Sequence, residues 1–112
     1  MSVPSFDQRD GFIWYNGALV PWRDAKLHVL SHGLHYGSCV FEGERAYNGK
    51  IFKSSAHSER FRRSAEILDF EIPYSVEELD AAKDATLKAN NLVNSYIRPV
   101  AWRGSEMMAV AA

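Results

Sequence analysis

Cysteine is almost missing from this chain, with Cys39 alone among 112 residues, so no disulfide within the chain braces it. Long apolar runs are missing too, and no stretch is long enough to cross a bilayer as a helix. Nor is there a surplus of positive charge: 13 Lys and Arg stand against 14 Asp and Glu, for a formal net charge of −1. The broad basic stripe of a phosphate-backbone binder is therefore absent, which argues against nucleic acid as a partner. The opening MSVPSFDQRDGF lacks the basic, apolar and small-residue order of a secretion signal, and a cytoplasmic protein is the expectation. Repeats, low-complexity tracts and linker-like stretches are lacking as well. Residues 1–112 are expected to form one domain with a single core.

What is present is turn chemistry and periodicity. Apolar FIWY, then Asn16-Gly17, then ALVPW reads as a hairpin, because Asn-Gly supplies the two positive φ angles of a tight strand-joining turn. Asn48-Gly49 joins SCVFEGERAY to KIF in the same way. In SSAHSERFRRSAEILDF, Phe61, Ala65 and Leu68 form the stripe of an amphipathic helix. Ser75, three residues before Glu78, marks a capping box that opens a second helix over VEELDAAKDATLKANN. SYIRPVAW is β-prone and returns to the sheet. The expected fold is α+β, a largely antiparallel sheet packed with two helices.

Three kinds of residue carry possible chemistry. His28, His32 and His35 have the spacing of one helical face and could ligate zinc. Gly33 and Gly37 weaken such a helix, however, and neither HExxH nor a cysteine pair accompanies it. The other reading is a loop shaped by hydrogen-bonded histidines. Arg60 falls on the flank of the apolar stripe, beside Ser64 and Ile67, where part-burial would demand an anion. That anion is either an internal carboxylate or a bound phosphate or carboxylate. In YIRP, Tyr96 and Arg98 share a strand face and offer a hydroxyl beside a planar fork of donors, suited to a small carboxylate or, on an edge strand, simply facing water. Phe41, Gly43, Arg45 and Tyr47 alternate with Val40, Glu42, Glu44 and Ala46. Gly43 there admits a ligand close to the backbone or marks a bulge.

Taken together and in order, WYNGALVPWRDAKLHVLSHGLHYGSCVFEGERAY, HSERFRRSAEIL and SYIRPVAWRG resemble the N-terminal domain of the branched-chain amino acid aminotransferases, pyridoxal-phosphate enzymes of fold type IV. The resemblance runs from about Phe12 to Val110. Its LHYG, VFEG and YIRP elements point to the branched-chain members rather than to D-amino acid aminotransferases or aminodeoxychorismate lyases. It implies that Arg60 holds the cofactor phosphate and that Tyr96 and Arg98 receive substrate carboxyl groups, the arginine serving the side-chain carboxylate of glutamate. It also implies that Phe41 walls the side-chain pocket with Gly43 beside it. Tyr36 and Val110 would reach across a homo-oligomer interface into a neighbouring pocket, with the histidines as scaffold for the loop that delivers Tyr36.

The implied chemistry is amino transfer between Leu, Ile or Val and 2-oxoglutarate, with pyridoxal 5′-phosphate as electron sink and a Schiff-base lysine. In the family that lysine lies in a larger C-terminal domain, beyond YIRP. Lys26, Lys50, Lys53, Lys83 and Lys88 match no such position, and Ala109 stands where a glycine is usual. Residues 1–112 alone are therefore expected to be inactive, to carry no catalytic residue of their own, and to expose an apolar surface that drives pairing or aggregation. The competing expectation is a non-catalytic ligand-binding or dimerisation module derived from the same fold.

Overall fold

The computed structural model describes residues 5–106. Asn16 and Gly17 take φ of +50° and +99°, which sets Tyr15 opposite Ala18 and closes the antiparallel hairpin of β1 (Phe12–Tyr15) and β2 (Ala18–Pro21). A loop then leads to a short helix, α1 (His32–Tyr36), which ends at Gly37 with φ +74°. Next come β3 (Cys39–Phe41), β4 (Glu44–Tyr47) and β5 (Lys50–Ile51). The second Asn-Gly turn, Asn48-Gly49, pairs Tyr47 with Lys50. Helices α2 (Ser54–Ile67) and α3 (Val76–Ala89) precede the last strands, β6 (Ser95–Ile97) and β7 (Val100–Trp102). All the strand pairings are antiparallel, as expected of an α+β fold with two principal helices.

FIWY and ALVP form continuous strands as expected, but SCVFEGERAY and SYIRPVAW, each expected as one strand, are interrupted. β3 pairs with β7 and β4 pairs with β6, with Phe41 opposite Val100 and Glu44 opposite Ile97. The register is unchanged across the gap, so Glu42 faces Pro99 and Gly43 faces Arg98. The Glu42 N–H donates to the Pro99 carbonyl at 3.0 Å, but Pro99 has no N–H to return, and the ladder lapses there.

Along 40–47 the chain alternates strictly, with Val40, Glu42, Glu44 and Ala46 buried and Phe41, Gly43, Arg45 and Tyr47 exposed. The buried side meets the helices. Val40 joins Phe61, Ala65, Ile72 and Leu79 in the core, with Phe70, Tyr74 and Ala101 packed around it. Leu68, expected in the α2 stripe, lies beyond the helix end and is 39% exposed. Asp69 at φ +61° reverses the chain there, and Ser58, fully buried, completes the inner face instead. α3 opens on both bonds of the capping box, Glu78 N–H to Ser75 Oγ at 3.1 Å and Ser75 N–H to Glu78 Oε1 at 3.0 Å.

Candidate functional site

Four of the singled-out residues meet on the exposed face, where the ladder lapses. The Arg98 guanidinium lies 3.8 Å from the centre of the Phe41 ring and donates from Nη1 to the Tyr96 hydroxyl at 3.1 Å. Tyr96 in turn lies over Gly43: a Cβ on that glycine would stand 2.7 Å from the phenolic oxygen. Strand alternation explains the meeting. Phe41 and Gly43 point outward from one strand pair, Tyr96 and Arg98 from the facing pair, and Gly43 sits opposite Arg98. The edge position of β6 leaves Arg98 exposed, and the aromatic ring fixes its plane. A planar donor fork beside a phenol, on an apolar platform, suits a carboxylate.

Tyr36, on α1, has His32 and His35 as ring neighbours, at 4.5 and 6.3 Å. Among the described residues no hydrogen bond or ring contact joins it to the Phe41–Arg98 group. Val110 lies outside the described residues. The histidines tie the 28–38 segment to itself. His28 Nδ1 accepts from the Leu30 N–H at 3.0 Å, His35 Nε2 meets the Val29 carbonyl at 2.7 Å, and His32 Nδ1 meets the Ser38 hydroxyl. Among the described residues no three His, Cys, Asp or Glu side chains are placed to share a metal ion.

Arg60 corrects the expectation of a part-buried guanidinium: its side chain is 64% exposed. The helix flank it occupies faces solvent, as the 75% exposure of Ile67 shows. An anion is nevertheless present, and it is the anion that is buried. Glu42, its side chain 3% exposed, accepts from Arg60 Nε at 2.8 Å and Nη2 at 2.7 Å and meets His57 Nδ1 at 2.7 Å. The hydrogen bond from Arg60 holds the Glu42 carboxyl below its ordinary value despite its burial, and Glu42 raises Arg60 in return. Among the described residues no acceptor meets Arg60 Nη1. Glu42 was not among the sequence candidates. The available signal was a carboxylate on the inward register of Val40 and Ala46, which must find a partner.

A second buried carboxylate, Glu44, accepts from Lys83 Nζ, which also donates to Ser54 and Ser58, and belongs to the packing of sheet on helices. A groove of about 750 Å³ runs between the first hairpin and the 69–74 and 100–106 segments, lined by Trp14, Tyr15, Phe70, Tyr74 and Trp102. It includes none of Phe41, Gly43, Tyr96 or Arg98. The convergent polar chemistry lies on the open sheet face instead.

Residues 39–112 match the family model for amino-transferase class IV. The chain is 47% identical over 110 residues to a probable branched-chain-amino-acid aminotransferase of Rickettsia felis, covering 98% of this chain and 38% of that protein. It is 50% identical to the branched-chain-amino-acid aminotransferase of Pseudomonas aeruginosa, covering 96% of this chain and 36% of that protein. Among solved structures it superposes on the T.th branched-chain amino acid aminotransferase complexed with N-(5′-phosphopyridoxyl)-L-glutamate, with a TM-score of 0.86 and 46% identity over 91% of this chain and 36% of that one. The Escherichia coli branched-chain aminotransferase gives a TM-score of 0.87 at 41% identity, over 92% and 36%. This chain spans little more than a third of the length of these relatives.

Proposed function

Because the chain belongs to the amino-transferase class IV family, we propose that it forms the N-terminal domain of a branched-chain amino acid aminotransferase that uses pyridoxal 5′-phosphate. The substrates are Leu, Ile and Val with 2-oxoglutarate, and the setting is a cytoplasmic homo-oligomer. The observation that carries this reading is the convergence of Phe41, Gly43, Tyr96 and Arg98 on one exposed face.

Arg98 and Tyr96 receive a carboxylate, the arginine through its fork and the tyrosine through its hydroxyl. Phe41 gives an aliphatic side chain an apolar wall, and Gly43 leaves room for it. Arg60, with Nη1 open, fits a phosphate and holds that end of the cofactor. When bound, the cofactor supplies an electron sink for bond-breaking at the substrate α-carbon. Tyr36 and Val110 line the pocket of the neighbouring subunit. The exposed apolar side chains of Leu27, Leu30 and Leu34, in the segment that leads to and carries Tyr36, suit such an interface. No helix among the described residues is long and apolar enough to cross a membrane, which is compatible with the cytoplasm.

The test is leucine-dependent formation of glutamate from 2-oxoglutarate, by residues 1–112 and by a longer protein that carries them. We expect transfer by the longer protein and none by residues 1–112 alone. Silence of the longer protein, or activity of the shorter, would overturn the proposal.

A further inference from the structure

Glu42 stands between the two ends of the candidate site. Its neighbours Phe41 and Gly43 point outward to Arg98 and Tyr96, while its own carboxylate points inward and is met by Arg60 and His57. Its N–H reaches across to the Pro99 carbonyl at 3.0 Å, next to Arg98. An exposed arginine ordinarily has a flexible side chain and samples many orientations. Here one edge of the guanidinium, Nε and Nη2, is clamped to a buried anchor. The other edge carries Nη1, which meets no acceptor among the described residues, on a side chain that is 64% exposed.

We propose that Glu42 is a positioning residue for a phosphate monoester: it clamps the inner edge of Arg60, braced by His57, so that the outer edge is presented to the phosphate. This rests on the reading of Arg60 as the phosphate-binding residue. Glu42 offsets the charge of Arg60, so its contribution is orientation rather than attraction. The effect of losing it is accordingly moderate, about tenfold in affinity. The same residue ties the phosphate end to the carboxylate end through its bond to Pro99.

The experiment is an NMR titration of the isotope-labelled chain with pyridoxamine 5′-phosphate and, in parallel, pyridoxamine, neither of which needs a reactive lysine. The Arg60 Nε–H resonance should keep its hydrogen-bonded position throughout, while the Nη signals move with the phosphorylated probe alone. Glu42→Gln should weaken pyridoxamine 5′-phosphate about tenfold, leave pyridoxamine unchanged and add nothing in an Arg60→Ala background; Glu42→Asp should recover part of the loss. Wild-type affinity in a folded Glu42→Gln protein would overturn the proposal. So would displacement of the Nε–H signal at saturation, which would mean that Arg60 leaves Glu42 to take the phosphate; that signal decides the matter even where the variant fails to fold. If wild type does not prefer the phosphorylated probe, the reading of Arg60 falls first, and this inference with it.

Discussion

Tyr96 lies over Gly43, so close that a Cβ at position 43 would stand 2.7 Å from the phenolic oxygen and 3.3 Å from Cε2. The two residues are diagonal neighbours, since Tyr96 pairs with Arg45 across the ladder. A methyl group at 43 meets the far end of an exposed side chain, which swings aside at small cost. What is lost is the placement of the hydroxyl that accepts from Arg98. Gly43→Ala should therefore stay within about 0.5 kcal/mol of wild type in thermal unfolding while weakening glutamate binding about tenfold. A variant that binds glutamate normally would separate Tyr96 from the carboxylate site.

Arg98 combines a ring stack with a hydrogen bond, the Phe41 centroid at 3.8 Å and the Tyr96 hydroxyl at 3.1 Å. Lysine keeps the charge but has no plane to lie on Phe41 and no fork for a carboxylate. Arg98→Lys in the proposed aminotransferase should raise KM for 2-oxoglutarate about tenfold, with a smaller change for leucine, which lacks the second carboxylate. Equal changes in the two KM values would show that Arg98 does not distinguish them.

The features that were legible in the sequence are the local ones. Asn16-Gly17 and Asn48-Gly49 make their turns because φ is decided by the residues in the turn. Ser75 and Glu78 cap α3 because they meet across three positions. The outward set of Phe41, Gly43, Tyr96 and Arg98 follows from the period of a strand. Pairings between distant residues were not legible: Glu42 with Arg60 lies 18 positions apart and Glu44 with Lys83 lies 39 apart. The lapse at Glu42–Gly43 depends on Pro99 being its partner, and register is a property of two strands together. Helical periodicity gives Arg60 its flank beside Ile67, but whether that flank is covered or faces solvent, as it does here, is decided by the sheet beneath.

Asn90, at the end of α3, imitates a missing strand. Its side-chain amide accepts from the Phe12 N–H and donates to the Phe12 carbonyl, each at 2.9 Å, and donates also to the Thr86 carbonyl at 2.8 Å. The β1–β2 hairpin pairs with no further strand among the described residues, and such a hairpin is marginal alone. Asn90→Ala should cost about 1–3 kcal/mol for its lost bonds. In amide exchange, the Ile13–Tyr15 and Ala18–Val20 amides should open before those of α3. Uniform loss of protection would show that the hairpin is held by packing such as the Trp14–Tyr74 ring contact at 4.9 Å instead.

Lys83 and Glu44 form a buried ion pair between α3 and β4, their side chains 5% and 0% exposed. Lys83 Nζ donates to Glu44 Oε1 at 2.8 Å, Ser58 Oγ at 2.7 Å and the Ser54 carbonyl at 3.1 Å. Glu44 Oε2 has no hydrogen-bond partner among the described residues. Breaking the pair strands a carboxylate, so Lys83→Met should cost about 3–5 kcal/mol at neutral pH. The double variant Glu44→Leu with Lys83→Met removes both charges and should come within about 1 kcal/mol of wild type or exceed it. The pH dependence gives the sign. Burial pushes the Glu44 carboxyl above its ordinary value, against the pull of Lys83. A raised native value means stability that is present below the ordinary carboxylate range and lost as pH rises through the native value. Without Lys83 to oppose it the rise grows, so the deficit of Lys83→Met should shrink as pH falls and Glu44 takes up a proton. Glu42 has the opposite sign: its lowered value gives stability that is present above the ordinary range and lost as pH falls through the native value. Urea unfolding of wild type, Lys83→Met and Glu42→Gln across pH 4 to 8 should therefore show the Lys83→Met curve approaching wild type from neutral pH downward. The Glu42→Gln curve should approach wild type only at the acid end, where wild type surrenders the same contribution. Parallel curves for wild type and Lys83→Met would mean that Glu44 does not titrate between the folded and unfolded states.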